Sequence, residues 1–167
     1  MPPRRPGTPA EVRFLEPICS GKLLGVSKAE DVFYNDKDRA AIIRFQEEVN
    51  RRPGYPKITA FAHTESAERY GCGAGNQHSY ITHDGQLLPC DFVPFSFGSV
   101  REKSVVELWQ EMGEAIGIPK RECFALKLYS LLQEKADSLP LSREESEKIC
   151  RSEQSGEYPD FFKTMQK

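Results

Sequence analysis

No stretch of this sequence approaches the ~20 consecutive apolar residues that a membrane-crossing helix needs. A mean hydropathy of −0.57 fits a water-soluble chain. No sign of charge dominates: 23 basic and 25 acidic residues leave a formal charge of −2. That balance gives no electrostatic reason to expect nucleic acid or an anionic membrane as a partner. Arg4-Arg5 and Arg51-Arg52 are too short to act as basic patches. The opening residues lack the apolar stretch of a secretory signal, so 1–10 read as a disordered leader and the chain as cytoplasmic. At 167 residues there is room for one ordinary domain, or a domain and a fragment, but not for a large barrel. Internal repeats and low-complexity tracts are missing too.

What the sequence does have is five cysteines: Cys19, Cys72, Cys90, Cys123 and Cys150. The odd number would leave one thiol over from any disulfide framework, and a reducing compartment disfavours such a framework. No two of them form the C-x2-4-C knuckle that aims two thiolates at one zinc ion. From spacing alone, five unrelated buried thiols is the better reading, because free cysteine is among the most buried residue types. The sequence around Cys72 and Cys90 argues otherwise.

The pattern along the chain predicts an α+β fold. Val12 to Pro17 reads as a short strand. Asp36 to Asn50 reads as an amphipathic helix with Ala41, Ile42, Phe45 and Val49 on its apolar face, stopped by Arg51-Arg-Pro-Gly-Tyr-Pro56. Lys57 to His63 alternates as a strand with Ile58, Ala60 and Ala62 on one side. Ser79–Thr82 and Gln86–Cys90 flank an Asp84-Gly85 pair, a hairpin signal because such turns need positive φ. An aromatic loop, 91–98, follows. Ser104-Val-Val-Glu107 is a capping box opening a helix with Val105, Leu108, Trp109 and Met112 on its apolar side. A further helix is expected from Cys123 through Ala136, and a third, capped by Ser142, carries Cys150. The last ten residues read as a tail.

A hairpin turning at Gly85 brings its two ends, and with them Cys72 and Cys90, toward each other. Two neighbouring thiolates form a disulfide, bind a metal ion or hold an iron-sulfur cluster. Glycines 71, 73 and 75 leave the backbone free to bend around a bulky inorganic group. The string Gly71-Cys-Gly-Ala-Gly75 … Tyr80-Ile-Thr-His-Asp-Gly85 … Leu88-Pro-Cys-Asp91 … Phe97-Gly-Ser-Val100 … Ser104-Val-Val-Glu-Leu-Trp109 resembles the SPASM/twitch domains of radical S-adenosylmethionine (SAM) proteins. Those domains open with a Cys, nine to fifteen residues, Gly, four residues, Cys motif, which 72–90 meets. Two departures stand out. Ser99 occupies a position that is usually Asn, and the cysteine-rich second half of a full SPASM domain is absent, which favours the shorter twitch-like form with one auxiliary cluster.

The resemblance implies that Cys72 and Cys90 ligate a [4Fe-4S] cluster, with Cys123 as third ligand and Cys150 as fourth. Cys19, or an open site for substrate, competes for the fourth place. The Cys-x3-Cys-x2-Cys signature of the SAM-cleaving cluster is lacking, and so is the length for a (β/α)6 partial barrel. The chain therefore resembles the C-terminal part of such a protein: 11–63 a remnant of the barrel's end, with Val12–Gly21 similar to its last strand and exit; 64–135 the iron-sulfur domain; 136–167 a helical extension. S-adenosylmethionine would belong to the missing core, in cis or on a second polypeptide, and a peptide or small molecule would be the substrate. A different class of reading is an adaptor that binds a partner peptide through the same hairpin, its cysteines structural or zinc-binding. A third is an enzyme that borrows its core from another chain. His63, His78 and His83 form no i,i+4 pair and read as surface or turn residues. Trp109 reads as core, Phe92, Phe95 and Phe97 as a loop excluding water from the cluster, and Asp91 is unassigned.

Overall fold

The computed structural model describes residues 11–18, 20–25, 32–154 and 156–165. The expected leader and Cys19 lie outside these residues. The fold is a mixture of helices and two small sheets, α+β in character, as the sequence implies.

The N-terminal part is a β-α-β unit. Strand β1 (Glu11–Phe14) pairs in parallel with β2 (Lys57–Ala60), Val12 opposite Ile58 and Phe14 opposite Ala60. Helix α1 (Asp36–Arg51) forms the crossover and starts at a capping box: the Asn35 side chain accepts from the Lys37 and Asp38 amides, and Asp38 accepts from the Asn35 amide. Two polar side chains of α1 take over β2's second edge. Asn50 exchanges two hydrogen bonds with the Ile58 backbone (2.8 and 2.9 Å), and Gln46 Oε1 accepts from the Ala60 amide at 2.6 Å. This explains why Gln46 is buried with Val49 while Ala41 and Phe45, expected on the apolar face, are exposed. Phe45 only meets Phe14 edge-on at 6.0 Å. Strand β1 covers only Glu11–Phe14, and β2 lies beside it in the same parallel sheet.

Past Ala60 the chain does not continue as a strand to His63. It winds into the short helix α2 (Phe61–Thr64), whose Thr64 hydroxyl donates to the Ala60 carbonyl. Ala62 is buried as well.

The predicted hairpin forms as β3 (Tyr80–Ile81) against β4 (Leu87–Leu88), Tyr80 opposite Leu88, with Gly85 at φ +93° in the turn. The segment after the second cysteine runs back along β4: the Leu87 amide donates to the Gly98 carbonyl and the Phe97 amide to the Leu87 carbonyl, both at 2.9 Å. Phe95 and Phe97 are thus core residues. Helix α3 (Val105–Ile116) begins at the Ser104–Glu107 capping box and buries Leu108, Met112, Ala115 and Ile116, with Trp109 half-buried beside them. It packs against α6 (Arg143–Ser152), which Ser142 caps. Between them the single helix expected over 123–136 is two, α4 (Phe124–Lys127) and α5 (Tyr129–Glu134), broken at Leu128, which leaves helical geometry to bury its side chain. The expected tail instead contains a helix, α7 (Asp160–Met165), whose Asp160 and Phe161 amides donate to the carbonyls of Ala67 and Arg69. Among the described residues no helix is long and apolar enough to cross a membrane.

Candidate metal centre

The loop leading to Cys72 is shaped by a close approach of three distant segments. Gly71 sits at φ +62°, and a Cβ there would lie 2.0 Å from the Lys120 carbonyl oxygen and 2.6 Å from the Pro159 ring. Only glycine fits such a position. The approach lets Cys72 and Lys120 pair as an antiparallel bridge, Cys72 N–H to Lys120 C=O at 2.7 Å and Lys120 N–H to Cys72 C=O at 3.0 Å. Three residues on, Cys123 stands at the start of α4.

The result is that Cys72 and Cys123, both buried, meet sulfur to sulfur. The Cys123 thiol donates into the Cys72 sulfur and holds Cys72 well below the usual thiol range, helped by the backbone N–H groups of Phe124 and Ala74 and opposed by burial. The same contact, with burial behind it, pushes Cys123 far up. One of the pair is therefore poised as a thiolate, the form that binds metal.

Cys90, at the end of β4, is half-exposed. Burial pushes its thiol up to about 12, with the Asp91 carboxylate and the charge of Cys72 acting in the same direction and the Phe92 amide against them. Its S–H donates to Asp91 Oδ1 at 3.2 Å, and its sulfur accepts from Phe92 N–H at 3.5 Å. Asp91 and Phe92 are thus tied to the thiol itself.

Cys150, on α6, is fully buried, and burial pushes its thiol up to about 12. The charges acting on it are those of Lys120, Glu147 and Glu153, whereas Cys72 acts on both Cys90 and Cys123. Cys72 thus neighbours both Cys90 and Cys123, while Cys150 shares the Lys120 charge with Cys72. His78 and His83 are exposed, and His63 accepts from Arg69 Nε at 3.1 Å.

Two charged residues at this place carried no signal in the sequence. Glu65, just past α2, hydrogen-bonds with Cys123, and its carboxyl is raised by burial and by nearby Glu16, against the pull of Arg39. Lys120 is almost entirely buried, and its ammonium donates to the carbonyls of Ile116 (2.7 Å) and Glu153 (3.0 Å), which close α3 and α6. It also lies 5.6 Å from the centre of the Phe124 ring. A lysine after Gly117-Ile-Pro119 reads as a surface residue, because lysine is almost never fully buried unless paired.

Among the described residues no three His, Cys, Asp or Glu side chains stand arranged around a single metal ion. The donor set suits an iron-sulfur group: three soft thiols from three chain segments, backbone N–H groups directed at two of the sulfurs, and an apolar wall that includes Ala74, Val93 and Phe124. No curated protein and no solved structure matches the chain. Residues 72–125, about a third of the chain, match the family model described as SPASM, iron-sulfur cluster-binding domain. The segment that contains the hairpin and Cys72, Cys90 and Cys123 is thus similar to SPASM iron-sulfur cluster-binding domains.

Proposed function

We propose that this chain carries one auxiliary [4Fe-4S] cluster of a radical SAM system, with Cys72, Cys90 and Cys123 as ligands. The carrying observation is that Cys72 acts on both Cys90 and Cys123 within the SPASM-matching segment. Such a cluster, when bound, supplies one-electron redox chemistry and an iron that can anchor substrate. The residues' own roles follow from their surroundings. Cys72 offers a thiolate at low cost, Asp91 accepts a hydrogen bond from the Cys90 thiol, and the Phe92, Ala74 and Phe124 amides hydrogen-bond the sulfurs. The fourth iron is open to Cys150, to Cys19 or to a peptide or small-molecule substrate.

The partner is a SAM-cleaving core, in cis or on a second polypeptide, since a Cys-x3-Cys-x2-Cys motif does not occur in the sequence. Parallel sheets are rarely left as two strands, because both faces need cover. Here β2's outer edge is closed by Gln46 and Asn50, so β1 is the edge that would accept the core's neighbouring strand. Exposed Leu15, Phe45 and Tyr55 on this unit supply apolar surface for the same contact. The chain's role is then electron relay or substrate anchoring in a reducing, cytoplasmic setting, without turnover of its own.

Anaerobic reconstitution with ferrous iron and sulfide tests the reading, with both elements counted per chain. About four of each are expected for one cluster, lost in Cys72→Ser, Cys90→Ser and Cys123→Ser. Stoichiometric zinc with no labile sulfide would refute it and favour the adaptor.

A further inference from the structure

Resting on the cluster reading above, we infer that Lys120 is a positioning residue for electron transfer: its buried ammonium keeps the cluster's midpoint potential higher than the thiols alone would set it. Four observations converge on this. Lys120 is 2% exposed, so water does not screen its charge. Its backbone is hydrogen-bonded on both sides to Cys72, which fixes it beside a ligand. Its ammonium is immobilised by the Ile116 and Glu153 carbonyls, the negative ends of two helices, and lies over the Phe124 ring. Its charge acts on both Cys72 and Cys150. Cys123 in turn interacts with the half-buried Glu65.

Reduction adds one electron to the cluster and no proton, and a fixed positive charge favours the more negative state. Within a low-dielectric interior a unit charge at such close quarters is worth on the order of tenfold in the reduced-to-oxidised ratio, ~59 mV for one electron. A lysine serving only as a helix tie would leave the potential unmoved.

The test compares the wild type with Lys120→Met, Lys120→Gln and Lys120→Arg in the full chain, each reconstituted anaerobically. Iron and sulfide are counted, and the midpoint is read by electron paramagnetic resonance during titration with dithionite as electron donor. Expected is a midpoint lowered by about the tenfold equivalent in the Met and Gln variants, and near the wild-type value in the Arg variant. A neutral variant with full iron, full sulfide and an unshifted midpoint overturns the inference while leaving the cluster reading intact. If both neutral variants lose the far-ultraviolet circular dichroism of the wild type and the Arg variant keeps it, Lys120 is a structural tie and the inference is likewise overturned. A wild-type chain that takes up no iron and sulfide overturns the cluster reading, and this inference with it.

Discussion

Replacing Gly71 by alanine adds one methyl group where three segments meet, and the cost divides into two separable parts. The backbone at φ +62° costs a residue with a side chain ~1–2 kcal/mol. The added Cβ would also stand 2.0 Å from the Lys120 carbonyl oxygen, a backbone atom that no rotamer change can move aside. Lys120 and residue 71 must separate, which breaks the two hydrogen bonds joining Cys72 to Lys120 (2.7 and 3.0 Å), each worth ~0.5–1.5 kcal/mol net. The sum is about 3 kcal/mol, or about 6–12 °C in Tm for a chain of this size. Gly54 is the control. Its φ of +85° carries the same backbone strain, but nothing lies within 4 Å of its would-be Cβ. Gly54→Ala should therefore lose only ~1–2 kcal/mol. Thermal unfolding of both variants, followed by circular dichroism, decides. Equal falls in Tm would mean that the crowding at Gly71 relaxes freely and that the argument from contact is wrong.

Two other substitutions read different parts of the fold. Phe95→Ala empties a fully buried position that meets Phe124 at 6.4 Å and should cost ~3–5 kcal/mol. Urea unfolding followed through the single tryptophan, Trp109, would then show a lower midpoint with an unchanged slope. Glu16 is buried at the end of β1, 3.3 Å from Arg39 Nη1 but without the alignment of a hydrogen bond, and burial raises its carboxyl despite Arg39. A raised carboxyl favours folding while it is protonated and costs stability as pH rises through its folded value. Glu16→Gln should therefore raise Tm near neutral pH and leave it unchanged below the ordinary carboxylate range. A fall at neutral pH would mean that the attraction of Arg39 outweighs the cost of burial.

The elements that sequence announces are those with local chemistry. Asp84-Gly85 declares a turn, and Ser104 and Ser142 start helices through their own hydroxyls. The string from Gly71 to Trp109 carried the family likeness because its residue types and spacing stand in one contiguous stretch of sequence. What failed had no local signal. Helix α2 is four residues long, too short for a period to register, and its alanines alternate like a strand. The break at Leu128 and the docking of α7 on 67–69 depend on segments far away in sequence. Gln46, a polar residue set at helical spacing among Ile42 and Val49, is buried because β2 has an edge to satisfy. The centre divides in the same way. Cys72 and Cys90 were marked by their hairpin, whereas Glu65 and Lys120 arrive there only through tertiary structure.

The meeting of Gly71 with Lys120 and Pro159 also sets an order of events in the life of the chain. The ribosome extends a chain at ~5–20 residues per second, and early segments begin to fold while later ones are still being made. The bend that presents Cys72 rests on two pieces of chain made 49 and 88 residues later, so it has no fixed shape while the hairpin first emerges. Iron and sulfide delivered at that moment would meet loose thiols open to oxidation. A cluster held by Cys72 would accordingly be inserted late, on a chain already synthesised through Pro159.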